Sequence, residues 1–243
     1  MKTIGLIAGV SWESSVDYYR ILNEEVSRRL GGLHSAKIAM YSVDFAEVEA
    51  PLSAGHRDEA AVKIIEAGEN VKNAGADFFL ICSNTMGMFT PDVEKATGMK
   101  GIFIADAVGK AIKEKGMKKL ALLGTRFTME GDFYKNVLVD NYGLEPLIPD
   151  VEGRKTVDDI IWKELCLGVI KDESREKYVR IIEDLAEKGA ECAALACTEI
   201  PLLVKQEHVS IPVFDSTYLH SLAAVEMALA EEVIDGKARK GNS

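Results

Sequence analysis

Short apolar runs alternate along this chain with longer segments whose apolar residues recur at helical spacing. "KTIGLIAG" reads as a strand buried on both faces, and "SSVDYYRILNEEVSRRLGG" as a helix stopped by its glycines. "AKIAMYSVDF" follows as a strand, "DEAAVKIIEAGENVKNAGA" as a helix, and "DFFLIC" and "GIFIADA" as two more strands. Continuous apolar strands separated by helices predict a parallel sheet with helices on its faces.

The second half repeats the first. "MKTIGLIAG" is echoed by "MKKLALLGT" at 117–125, "DYYR" by "DFYK", and "NAGADFFLICSNT" by "EKGAECAALACTE". Gly75 and Gly189 stand 114 residues apart, and so do Ser83 and Cys197. "IFIADA" is echoed by "IPVFDS", which matches Asp106 with Asp215. The echoes include polar strand ends as well as apolar runs, so they predict a duplicated α/β unit of about 110 residues. The expected fold is α/β, with two pseudo-symmetric lobes, each a four-stranded parallel sheet flanked by helices, and an active site in the cleft between them. Lobe 1 is expected over 1–113 and lobe 2 over 114–215, with the helix at 217–234 returning to lobe 1 and a disordered tail at 235–243. Lobe motion about the two crossings would gate the cleft.

Composition narrows the partners. The chain has 243 residues and a net charge of −10, which repels nucleic acid and anionic membranes, so neither is an expected partner. An anionic substrate would need local donors to offset that field. No apolar run reaches the roughly 20 residues of a membrane-spanning helix. Trp12, Glu13 and Ser14 follow the first apolar run where a signal peptide would carry small residues, so that run is taken as the first strand. The four cysteines, Cys82, Cys166, Cys192 and Cys197, show neither zinc nor disulfide spacing, which fits a reduced cytoplasm. The four histidines are scattered, and no metal is expected.

Ligands of open α/β sheets bind beyond the carboxyl ends of the strands. The polar tips there are Ser11, then Ser83, Asn84 and Thr85, then Thr125 and Arg126, and finally Cys197, Thr198 and Glu199. A helix N-terminus after Cys197 would favour the thiolate, and the residue would serve as nucleophile or general base. The bland alternative is a small buried hydrophobe. Cys82, Cys166 and Cys192 read as core. Asn84, Thr85, Thr198 and Ser11 suit either a carboxylate ligand or helix capping. Glu199 would accept from an ammonium group or hold a catalytic partner. Arg126 would offset a second carboxylate or simply lie on the surface. Asp17, Asp132 and His34 read as surface, capping or loop residues.

These motifs together resemble the cofactor-independent aspartate/glutamate racemases over nearly the whole chain. The carriers are "MKTIGLIAGVSWES", "GGLHSA", "SNTM", "ALLGTRFTM", "LCLG" and "ACTEI", and they look like the subgroup of broad-specificity or L-aspartate/glutamate-acting bacterial enzymes. The resemblance implies a two-base reaction with no cofactor, a homodimer, Cys197 and Ser83 as the acid/base pair, and Asn84, Thr85, Thr125 and Thr198 around the substrate carboxylate. The sequence departs from the family where "CNT" reads "SNT" and where "NTMH" of close relatives reads "NTMG", with Gly87 in place of histidine. Ser83 is therefore expected to be a weak partner to Cys197, with L to D favoured. The resemblance also leaves two other readings, a cysteine-dependent decarboxylase or isomerase of the same superfamily and a non-catalytic amino-acid-binding protein.

Overall fold

The computed structural model describes the backbone of residues 1–240 and the side chains of residues 1–230. Its contacts divide the chain into two units. The first comprises residues 1–82, 89–102 and the chain from His220 on; the second comprises 83–88 and 103–219.

In the first unit, β1 (Ile4–Ala8), β2 (Ile38–Ser42), β3 (Phe78–Ile81) and β4 (Lys100–Ile102) form a parallel sheet in the order β2-β1-β3-β4. α1 (Trp12–Leu30), α2 (Phe45–Ser53), α3 (Arg57–Asn73) and α4 (Thr90–Thr97) connect them. Ile4, Leu6 and Ala8 point to one face of β1 and meet Tyr18, Leu22 and Val26 of α1, together with Ala224, Val225 and Ala228. Gly9 ends β1 with φ 88°, and a Cβ there would lie 2.3 Å from the Val43 carbonyl oxygen, so the tip of β1 turns only because the residue has no side chain. The next peptide, Val10–Ser11, is cis.

In the second unit, β5 (Lys119–Gly124), β6 (Glu145–Leu147), β7 (Cys192–Ala196) and β8 (Val213–Asp215) repeat that order as β6-β5-β7-β8, again parallel. α5 (Ile104–Glu114), α6 (Arg126–Glu130), α7 (Asp132–Asn136), α8 (Val151–Lys163), α9 (Asp172–Glu187) and α10 (Ile200–Leu203) belong here, and α11 (Ser216–Lys240) begins here. Alternation along the strands builds two cores. Ala121, Leu123, Ala193 and Leu195 face Val157, Ile161, Tyr178 and Ile182. Leu120, Leu122, Cys192 and Ala194 face Ile104, Val108, Ile112, Tyr134 and Leu138.

Two sequence expectations need correction. "GIFIADA" is not one strand: β4 ends at Ile102, and α5 starts at Ile104. Ile104, Val108 and Ile112 recur at helical spacing and bury against the second sheet, so the second unit begins at Phe103 rather than at 114. The tail expected over 235–243 overlaps the end of α11, which runs to Lys240; residues 241–243 of that expectation lie outside the described residues. Among the described residues, no helix is long and apolar enough to cross a membrane.

Candidate active site

Each sheet reverses its order between its first and third strands in sequence, the position where open α/β sheets gather ligands at the strand tips. In the second unit, Gly124 of β5 pairs with Ala196 of β7. The next residues on those two strands are Thr125 and Cys197.

Period two carries the chemistry to a definite face. Cys197 continues the set Ala193 and Leu195, so it projects toward Tyr178 and Val157, whereas Cys192 points into the opposite core. Cys197, Thr198 and Glu199 are all buried. The Cys197 thiol donates to Glu199 Oε2 at 2.9 Å, and the Thr198 hydroxyl donates to Glu199 Oε1 at 2.9 Å. Burial pushes the thiol pKa well above its ordinary value, and the Glu199 carboxylate raises it further. This overturns the expected lowering at a helix N-terminus. α10 spans only four residues, and the nearest strong charge to the sulfur is negative. The resting pair is thus a thiol on a carboxylate.

A second cluster gathers at β5. Thr125 caps α6, its Oγ1 accepting the Thr128 N–H at 3.4 Å. Thr85 Oγ1 lies 2.8 Å from Thr125 Oγ1 and 3.4 Å from Thr128 Oγ1, which closes a triangle of buried hydroxyls. Asn84 Nδ2 donates to Ser216 Oγ at 2.9 Å, while its buried Oδ1 has no hydrogen-bond partner among the described residues. Ser83 is buried, and its Oγ accepts the Met86 N–H at 3.2 Å. That bond stops the turn at Met86–Phe89 from unwinding and leaves the hydroxyl hydrogen to be directed elsewhere.

The structure therefore brings together Cys197, Thr198 and Glu199 in one group, and Thr85 and Thr125 in another. Thr128 and Ser216 join these groups although the sequence reading passed over them. Thr128 stands three residues after Thr125, the spacing of a side-chain cap, and Ser216 directly follows the Asp106/Asp215 echo; both signals were present. Arg126 is exposed at the first position of α6, where Asp158 Oδ1 accepts its backbone N–H at 2.8 Å. Ser11 lies in the first unit, buried before α1, and its carbonyl accepts from Ser15 Oγ at 2.7 Å. Cys82 and Cys192 are buried; burial pushes the Cys192 pKa to about 12 and that of Cys82 higher still. Cys166 packs beside the core that holds Cys197.

Two parallel sheets of one strand order, with hydroxyl, amide and thiol side chains at equivalent strand tips, define a duplicated α/β protein built for proton handling. The chain belongs to the Asp/Glu/hydantoin racemase family, whose pattern it matches over residues 7–224. It is similar to the broad specificity amino-acid racemase RacX of Bacillus subtilis (strain 168), with 24% identity over 71% of this chain and 74% of that protein. Among solved structures it resembles a Yersinia pestis protein described as a candidate Asp/Glu racemase, with 46% identity, TM-score 0.87, and coverage of 94% of this chain and 100% of that one. It also resembles an aspartate racemase homologue from Pyrococcus horikoshii OT3, with 34% identity, TM-score 0.79, and coverage of 94% and 99%. The chain is an isomerase of the racemase class.

Proposed function

We propose that this enzyme interconverts the L and D forms of aspartate, of glutamate, or of both, by moving the α-proton between two of its own side chains. The observation that carries this reading is the buried Cys197–Glu199 contact at the tip of β7, matched in position by Ser83 beyond the tip of β3. Cys197, its proton first passed to Glu199, takes the α-hydrogen from one enantiomer. The electron pair left on the α-carbon delocalises into the substrate carboxylate, and a proton from the Ser83 hydroxyl closes the opposite face. Asn84, Thr85, Thr125 and Thr198 are the donors offered to that carboxylate, where negative charge grows in the transition state. Arg126 is the cation offered to the side-chain carboxylate. Aspartate and glutamate differ by one methylene, which a pocket separates by only about 1–3 kcal/mol.

L and D substrates have equal free energy in water, so kcat/KM must be the same in both directions. The inequality of a thiol and an alcohol therefore shows in hydrogen exchange. In heavy water, deuterium should enter the enantiomer that faces Cys197 faster than its mirror image; equal rates would remove the asymmetric version. The primary test follows circular dichroism of the purified enzyme with both enantiomers of both acids and no added cofactor. Turnover is expected with at least one acid, and Cys197→Ala should lower it by roughly 10²–10⁴-fold. Substrate binding without turnover in the wild-type enzyme would favour a binding protein instead.

A further inference from the structure

The five residues of α6 are too few to hold a helical turn by themselves. Yet Thr125 at its cap and Thr128 within it supply two of the three hydroxyls in the triangle with Thr85. Thr125 caps the helix only loosely, because 3.4 Å lies beyond the ordinary N–H···O range. The short bond at this helix start comes from α8. Asp158 Oδ1 accepts the Arg126 N–H at 2.8 Å, and the same oxygen accepts the Trp162 Nε1–H at 3.1 Å. One turn earlier on α8, Arg154 Nε donates to Glu130 Oε1 at 2.8 Å, at the last residue of α6. Arg154, Asp158 and Trp162 stand four apart, so they share one side of α8. That side grips α6 at both ends. Val157 and Ile161 of the same helix are buried in the core that holds Cys197.

We infer that Asp158 is a positioning residue for the reaction: its tie to the Arg126 N–H sets the start of α6 and so directs the Thr125 hydroxyl and the Arg126 side chain at the substrate. The inference rests on the reading above, in which Thr125 and Arg126 meet the substrate carboxylates. Because Asp158 holds the helix start, the Thr125 hydroxyl is not committed to capping and lies instead 2.8 Å from Thr85 Oγ1. The Asp158 carboxylate takes the backbone N–H of Arg126 and not its guanidinium, which leaves that cation to a ligand. Water could satisfy the Arg126 N–H if Asp158 were lost, but water would not tie α6 to α8. The Trp162 N–H on the same oxygen holds the carboxylate in place. At the far end of α6, Glu130 is exposed, so its ion pair with Arg154 adds little to the grip.

The test compares Asp158→Ala, Asp158→Glu and Asp158→Asn with the wild-type enzyme. It reads KM and kcat for the acid that is racemised and the calorimetric Kd for succinate, a dicarboxylate that is achiral and has no ammonium group. Asp158→Ala should raise KM and Kd by about ten- to hundred-fold, with an unchanged far-UV circular dichroism spectrum. Asp158→Asn keeps an acceptor oxygen and should hold both within about three-fold of wild type. Asp158→Glu lengthens the tie by one methylene and should raise both by about five- to ten-fold, a readout that remains if Asp158→Ala does not fold. A tie that served only stability would lower the folded fraction, and with it kcat, at unchanged KM and Kd. That result, or an asparagine variant as impaired as the alanine one, would overturn the inference. Succinate binding needs no turnover. A wild-type chain that binds succinate but racemises neither acid removes the racemase reading alone, and an active wild-type chain whose variants keep its KM and Kd removes the role of Asp158 alone.

Discussion

Replacing Glu199 with glutamine separates two effects that the 2.9 Å contact with Cys197 joins. The carboxylate destabilises a thiolate beside it, so burial and Glu199 together hold the thiol pKa up. It is also the acceptor that can take the thiol proton. Glu199→Gln should therefore move the alkaline rise of kcat/KM to lower pH while reducing the plateau. A profile with an unchanged midpoint would mean that Glu199 does not face the working thiol. Gly87 poses a similar question at residue scale. A Cβ there would lie 2.6 Å from Cε2 of Phe103, whose ring stacks edge-on with Tyr134. A histidine at this position would have no room, because the Phe103 ring fills it. Gly87→His alone should destabilise the fold by about 1–3 kcal/mol in denaturant titrations. Gly87→His with Phe103→Ala should regain much of that loss, and a double variant no more stable than the single would refute the steric account.

The pairing of strand tips is an element-scale property, and Gly124 controls it. A Cβ at this position would meet the Ala196 carbonyl oxygen at 2.5 Å, so β5 and β7 approach closely where Thr125 and Cys197 emerge. Gly124→Ala should spread the tips, cost about 1–3 kcal/mol in thermal unfolding, and lower kcat more than it raises KM. Full activity at reduced stability would show that the spacing of the tips does not matter to the reaction. Element scale also shows what could be read beforehand. The strands and their duplication were legible because parallel strands buried on both faces are written as apolar runs, and β1, β3, β5 and β7 all lie within such runs. α5 was not, since "IFIADA" opens with a run that fits a strand or a buried helix equally well. α2 was hidden by its internal Pro51. The candidate residues stand out in the sequence as polar strand tips, but the electrostatic direction at Cys197 does not. It depends on the Glu199 side chain folding back onto the sulfur, a contact between residues two apart that no periodicity encodes.

At the scale of the whole molecule, the stability of the first unit should depend on acid through His220. The imidazole is buried; the Tyr18 hydroxyl lies 2.9 Å from Nδ1, and the Ile102 carbonyl lies 2.8 Å from Nε2. A carbonyl can only accept, so Nε2 carries the hydrogen and Nδ1 takes the one from Tyr18. The bond also has a place in the connectivity, because Ile102 ends one segment of the first unit and His220 begins the next. Burial holds the His220 pKa down to about 4, against an ordinary value near 6.5. Between those values the unfolded chain binds a proton that the folded chain refuses. The contribution is therefore complete above about pH 6.5 and is lost as pH falls toward 4, a change on the order of 3 kcal/mol. Glu25 acts in a lower window. Arg28 and Arg29 hold its pKa near 2, so its contribution fades only below the ordinary carboxylate range, and the exposure of Arg28 keeps it small. Urea midpoints measured from pH 7.5 to 4.5 should fall steadily for the wild-type chain. His220→Gln should start lower at pH 7.5 and change much less across the same interval, because it removes the titrating group while keeping a polar side chain beside Tyr18. An equal slope in both proteins would assign the acid sensitivity to other groups.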